Sequence, residues 1–283
     1  MGEGWQSAEG SSDGVGLFIM RHLLDISLRA ALEAGAEELR IYNLPAEQQE
    51  VEFKADESPL TLADRNAHDI ICRYLEETPY PILSEEGRHL PHEQRSQWNF
   101  YWCVDPLDGT KEFVKHSGEF SVNIALMQPH GDTWLPLLGV VFFPVTGFLY
   151  YTDGQTSWRA LVKDGTDLTE LTPLPICGSP RSYTVVASVS HMNAETEAYI
   201  DALRQQHPDL SLIQAGSSLK ICRVAEGSAD IYPRLGPTCE WDTAAAHALV
   251  RAAGGDIVSH EDGLTLRYNK ENLLNPYFIV TLK

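Results

Sequence analysis

Between residue 17 and about residue 39, apolar and small side chains (Leu17, Met20, Leu24, Ala31, Ala34) recur at helical intervals among charges. This pattern predicts an amphipathic helix. Pro45 and the polar residues after it end the pattern. Residues 61–77 (TLADRNAHDIICRYLEE) predict a second helix, and Thr61 and Asp64 have the spacing of a capping box. The period then shortens to two. Phe120, Val122, Ile124 and Leu126 alternate with Ser121, Asn123 and Ala125, which predicts a strand with two distinct faces. Runs at 81–84, 100–104, 137–143 and 148–152 predict further strands, with Pro144 and Gly147 turning the chain between the last two.

A polar, Pro-containing stretch at about 163–182 separates this segment from a different rhythm. Strands are predicted at 184–189, 211–214, 229–232 and 256–258, and helices at 194–205, 217–225 and 243–253. Such alternation is that of an α/β unit. The chain therefore divides into an α+β half over 17–178 and an α/β half over 179–283. Residues 1–16 (MGEGWQSAEGSSDGVG), which lack a basic region followed by an apolar one, are expected to form a flexible tail and not a signal peptide.

Composition narrows the functional classes. The formal net charge is -19, from 40 acidic against 21 basic residues. That surface repels a nucleic-acid backbone, so duplex binding is not expected. A small anionic substrate is still compatible if cations reverse the field locally. The five cysteines (72, 103, 177, 222 and 239) include no CxxC pair, and the odd count suits a reduced, intracellular chain. No apolar run reaches the roughly 18–20 residues that a bilayer requires. The cytoplasm is the expected compartment, with peripheral contact to an inner membrane left open; the oligomeric state is not legible.

Carboxylates gather at three places. ILSEEG carries Glu85 and Glu86, YWCVDPLDGTKEF carries Asp105 and Asp108, and CEWDTAAAHALV carries Asp242 at the start of an Ala-rich helix. Each alone has an ordinary reading as a solvated turn, a turn dipeptide or a helix N-cap. Together they suggest a cation site. Asp105 sits where an apolar strand ends, Pro106 stiffens the bend and Gly109 frees the backbone. Two carboxylates so close repel unless a cation intervenes, and hard Mg²⁺ is the natural one. In GSSLKICRVAEG, Ser217 and Ser218 begin a helix and Lys220 lies in its first turn, which suits an anion; the ordinary alternative is a capped helix with a surface lysine. The chain has no P-loop, dinucleotide fingerprint or GxSxG elbow, and His89 and His92 have no cysteine partner for zinc.

SEE, DPLDGT and WDTAAA, in this order, resemble the Mg²⁺-dependent, lithium-sensitive phosphatases of the inositol monophosphatase superfamily, and the likeness runs from about residue 17 to the end. KADESPLTLAD at 54–64, Lys111-Glu112-Phe113, GEFSVNIAL at 118–126, GSSLK at 216–220 and YPRLGPT at 232–238 look like its CysQ-type 3'(2'),5'-bisphosphate nucleotidases. Inositol monophosphatases tend instead to have Asn-Phe after DGT. The resemblance implies a layered αβαβα fold, two sheets sandwiched by helices. It also implies hydrolysis of the 3'-phosphate of adenosine 3',5'-bisphosphate to AMP, with 3'-phosphoadenosine 5'-phosphosulfate as a further substrate and a role in sulfur assimilation. The alternative is an inositol monophosphatase or a broad sugar-phosphate phosphatase. Two or three Mg²⁺ ions are implied. Glu85, Asp105 and the Leu107 carbonyl would hold the first, and Asp105, Asp108 and Asp242 the second. Glu85 would face a weaker third ion through water, with Glu86 behind it. Thr110, helped by Asp56, would deprotonate the attacking water. The Gly109 and Thr110 amides would hold the phosphate, and Ser217, Ser218, Lys220 and Arg234 the substrate's other anion.

Overall fold

The computed structural model describes residues 12–45, 48, 51–53, 59–88, 90–176, 178, 181–188 and 192–283. Two long helices come first, α1 (Ser12–Tyr42) and α2 (Leu62–Leu75). α1 starts at Ser12, so residues 12–16 are helical and do not belong to the expected tail; residues 1–11 lie outside the described residues. The Thr61 capping box is formed: Thr61 Oγ1 accepts from the amides of Ala63 (3.1 Å) and Asp64 (3.4 Å), while the Thr61 amide donates to Asp64 Oδ2 (2.7 Å). Ahead of α2, β1 (Glu52–Phe53) and β2 (Pro59–Leu60) form a small antiparallel pair.

A seven-stranded sheet follows, built in spatial order from β3 (Ile82–Ser84), β4 (Tyr101–Asp108), β5 (Ser121–His130), β6 (Thr133–Phe143), β7 (Phe148–Thr152), β8 (Ser157–Lys163) and β9 (Asp167–Pro173). β3 runs parallel to β4 and the remaining neighbours are antiparallel. Two short helices, α3 (His92–Arg95) and α4 (Thr110–Val114), interrupt the connections. β9 occupies part of the stretch that the sequence reads as a polar connection. It is an edge strand with most side chains at least partly exposed, so it has no apolar face to betray it.

The second sheet has the order β11 (Ser211–Ala215), β10 (Thr184–Ser188), β12 (Ile231–Arg234), β14 (Phe278–Leu282), β13 (Gly255–Ser259). β14, not predicted from sequence, lies antiparallel to both β12 and β13. The associated helices are α5 (Ala194–Gln206), α6 (Leu219–Ala225) and α7 (Trp241–Ala252).

Alternation along the strands determines the layering. Trp102, Val104, Val122, Ile124 and Leu126 face Ile26, Ala30 and Ile71 of α1 and α2. The opposite face, through Tyr101, Cys103, Ala125 and Met127, packs with Ala245 and Leu249 of α7 and, beyond them, Val186, Ile257 and Val280 of the second sheet. Ile200 of α5 covers that sheet's outer side with Val185, Ile231 and Ile279. The order is thus αβαβα, as the resemblance implies. α7 is pressed between two sheets, and thin side chains let it approach them closely: Ala244, Ala245, Ala246 and Ala248 are all at most 2% exposed.

One core residue breaks the pattern. Glu38 on α1 is 0% exposed, and neither carboxyl oxygen has a hydrogen-bond partner among the described residues. Burial, with Asp64 nearby, holds its carboxyl well above the usual range. A carboxyl raised in the folded state contributes stability below its unfolded pKa, and that contribution is lost as pH rises through the folded value. Glu38→Met should therefore stabilise the protein at pH 8 by roughly 1–3 kcal/mol and much less at pH 5. Urea unfolding at both pH values checks this; an advantage independent of pH would contradict it.

Candidate active site

Period-two alternation carries Tyr101 and Cys103 of β4 toward α7, and Asp105 continues on that face, 1% exposed. Asp108 is three residues on and would face the other way in a regular strand. A bulge corrects the phase. Asp105 pairs with Asn123 and Asp108 with Ser121, so two residues of β4 span the place of one on β5. Asn123 and Ser121 share a face of β5, and both aspartates are therefore returned to the same side. Gly109 follows at φ 95°, where a Cβ would stand 2.9 Å from the Glu119 carbonyl; only glycine fits.

Glu85 leaves the end of β3, its amide bonded to the Val104 carbonyl (3.1 Å). Asp242 arrives from the first turn of α7. It is not the N-cap, which is Glu240; its Oδ2 accepts the Cys239 amide at 2.8 Å. Glu85, Asp105 and Asp242 each place a carboxylate oxygen within 4.8 Å of the others. Burial, then the charges of Glu85, Asp108 and Asp242, push the Asp105 carboxyl well up. Burial, then Asp108 and Glu85, push Asp242 up to about 8. A buried carboxylate between two half-buried ones, each destabilising the others and offering only oxygen, fits a hard divalent cation.

Asp108 stands beside this trio. Its Oδ2 accepts from Ser217 Oγ (2.7 Å), Ser218 Oγ (2.8 Å) and, more weakly, Asn123 Nδ2 (3.4 Å). The two serines, expected to hold substrate, thus spend their protons on a carboxylate. Ser218 makes no side-chain capping bond to α6.

Thr110 Oγ1 lies 3.2 Å from Asp64 Oδ1 and 3.4 Å from the Leu107 carbonyl. Asp56, its expected helper, lies outside the described residues; among the described residues the carboxylate that meets Thr110 is Asp64. The other oxygen of Asp64 takes the Thr61 amide and hydroxyl (2.7 and 2.5 Å). Burial raises Asp64 to about 6 against those hydrogen bonds, and Glu86 and Glu85 add to the rise. The sequence signal for Asp64 is present but reads only as a helix cap. A capping-box carboxylate commits one oxygen and leaves the second free for another partner.

Two cations line the same cavity. Lys220 is 6% exposed; its Nζ donates to the Ser217 carbonyl (2.6 Å) and sits 5.6 Å from the Tyr232 ring centre. Burial lowers it to about 8, with Asp108 opposing and Arg234 reinforcing the shift. Arg234 donates from Nη2 to the Pro237 carbonyl (2.9 Å), and its buried Nε has no partner among the described residues. Apart from Asp56 and Glu86, every residue assigned to the site from sequence lines one cavity of about 390 Å³.

Comparison with known proteins accords with this arrangement. The model of the inositol monophosphatase family matches residues 20–277. The 3'(2'),5'-bisphosphate nucleotidase CysQ of Escherichia coli strain K12 is 42% identical over 265 residues, covering 92% of this chain and 100% of that protein. Its counterpart in Haemophilus influenzae is 34% identical, covering 93% and 94%. The crystal structure of CysQ from Bacteroides thetaiotaomicron is 44% identical with a TM-score of 0.83, covering 94% of this chain and 99% of that one.

Proposed function

The chain belongs to the inositol monophosphatase family, and on that premise we propose that it is a Mg²⁺-dependent 3'(2'),5'-bisphosphate nucleotidase. Its reaction is release of the 3'-phosphate of adenosine 3',5'-bisphosphate, giving AMP; 3'-phosphoadenosine 5'-phosphosulfate is the second substrate, in sulfur assimilation. The observation that carries this reading is one cavity holding both a carboxylate cluster and two buried cations, Lys220 and Arg234. A substrate with a single phosphate would leave one of these stations unused, so the inositol monophosphatase alternative is not favoured.

Glu85, Asp105, Asp108, Asp242 and the Leu107 carbonyl are the groups that would hold two or three ions. When bound, Mg²⁺ supplies Lewis-acid stabilisation of phosphoryl oxygens and lowers the pKa of the attacking water. The protein's own part is positional and protolytic. Thr110 Oγ1 takes a proton from water as its hydroxyl proton passes to Asp64 Oδ1, the water oxygen bonds to phosphorus, the bond to the 3'-oxygen breaks, and the departing 3'-oxygen takes a proton from solvent to give the 3'-hydroxyl of AMP. The Gly109 and Thr110 amides donate to the phosphoryl oxygens, and Lys220 and Arg234 anchor the distal anion.

Phosphate release from adenosine 3',5'-bisphosphate with Mg²⁺, suppressed by lithium, is the test. Turnover of inositol 1-phosphate with none of the bisphosphate would overturn the proposal. A second expectation concerns pH. Lys220 loses its charge as pH rises through about 8, so kcat/KM for the bisphosphate should fall above that pH. A monoester lacking the distal anion should show no such limb, and Lys220→Arg should remove it.

We also place the enzyme in the cytoplasm. The described cysteines, Cys72, Cys103, Cys222 and Cys239, are all free, which suits a reducing compartment. Among the described residues no helix is long and apolar enough to cross a membrane.

A further inference from the structure

The geometry points to Glu119 as a positioning residue that latches the 216–218 segment of the second sheet's half onto the first sheet, and so fixes the orientation of Asp108. The inference rests on the metal-dependent reading above. Glu119 is half-buried in the turn before β5 and stands apart from the Glu85, Asp105 and Asp242 trio. Its Oε2 accepts the Gly216 amide at 2.8 Å. A Cβ on Gly216 would lie 3.0 Å from both Glu119 Cβ and Oε2, so glycine is what lets the carboxylate come this close.

The next residue carries the strain. Ser217 sits at φ 49°, in the left-handed region, which costs a non-glycine residue about 1–3 kcal/mol. Three bonds hold it there. Its Oγ donates to Asp108 Oδ2 (2.7 Å) and therefore accepts from Ser121 Oγ (2.5 Å), while its carbonyl takes Lys220 Nζ (2.6 Å). Ser218 Oγ lies 2.8 Å from the same Asp108 oxygen and 3.1 Å from the Asp242 carbonyl. Among the described residues Asp108 takes its hydrogen bonds on Oδ2, which leaves Oδ1 for a cation.

Asp108 belongs to the first sheet and both serines to the connection between β11 and α6, so its orientation depends on how the 216–218 segment is held against the first sheet. Glu119 supplies a tie at the head of the segment, and its charge also helps keep Lys220 protonated. An anion that arrives at Lys220 acts on the Ser217 carbonyl and, through Ser217, on Asp108. Distal-anion binding and metal binding are coupled by this route.

Mn²⁺ titrated into the nucleotide-free protein and followed by electron paramagnetic resonance tests the latch without turnover. Glu119→Ala should weaken Mn²⁺ binding about 10- to 100-fold, the usual effect of losing a group that orients a ligand. Glu119→Gln keeps an acceptor oxygen and should recover most of that loss, whereas Glu119→Met, of similar bulk but with no acceptor oxygen, should not. Should Glu119→Ala fail to fold, Gly216→Ala makes the same test by forcing the carboxylate away. Mn²⁺ binding as tight as the parent's in a folded Glu119→Ala or Gly216→Ala overturns the latch. If the parent releases no phosphate from the bisphosphate yet these variants still bind Mn²⁺ weakly, the latch stands and the nucleotidase reading falls.

Discussion

Asp105→Asn should reduce phosphate release by on the order of 10³-fold or more while the chain still folds. Asp105 is the centre of the acidic cluster. It is the most buried of the cluster's members, and Glu85, Asp108 and Asp242 all act on its charge. In metal-free protein that charge is a cost, so the neutral, isosteric Asn relieves repulsion and should leave the melting temperature unchanged or raised. The parent should gain melting temperature as Mg²⁺ is added, because a ligand of the native state stabilises it by mass action; the variant should lose that gain. Turnover and Mg²⁺-dependent melting together form the check. An Asp105→Asn variant that hydrolyses substrate at near-parent rate would remove the basis of the metal assignment.

Asp64→Asn should cost about 10²- to 10⁴-fold in kcat, the range for a lost proton acceptor. Asn keeps an oxygen for the Thr61 amide, so the α2 cap should survive with a stability change of about 1 kcal/mol or less. That split between turnover and stability separates proton transfer from helix capping. With Asp64 raised to about 6 by burial, the parent's kcat/KM should fall as pH drops through that value. Thr110→Val, which keeps the shape and removes the hydroxyl, should behave like Asp64→Asn. Asp56→Asn is the decisive comparison. If that variant loses turnover and Asp64→Asn does not, water activation belongs to Asp56, as the family resemblance implies.

The difference between these two aspartates shows where the sequence stops being informative. Asp64 is legible as the third member of a capping box, because a cap is a contact within one turn of helix. Its bond to Thr110 joins residues 46 positions apart and exists only because α2 packs against β4. Ser217 and Ser218 make the same point. Their position ahead of a helix suggests an anion pocket, yet both hydroxyls turn to Asp108, a carboxylate more than a hundred residues earlier. β9 and β14 escape a reading of the sequence for related reasons. One is an edge with little apolar face, and the other is short and defined chiefly by its two neighbours.

Periodicity and turn chemistry, which act over a few residues, are enough for the two long helices, the two-faced central strands and the set of carboxylates at strand ends. The packed fold is needed to settle which described carboxylate meets Thr110, and which groups orient Asp108. It is also what buries Lys220 and brings its charge into play near pH 8. Each of those depends on burial and on the packing of segments far apart in the chain, where desolvation and charge–charge repulsion set protonation, and no local pattern encodes them.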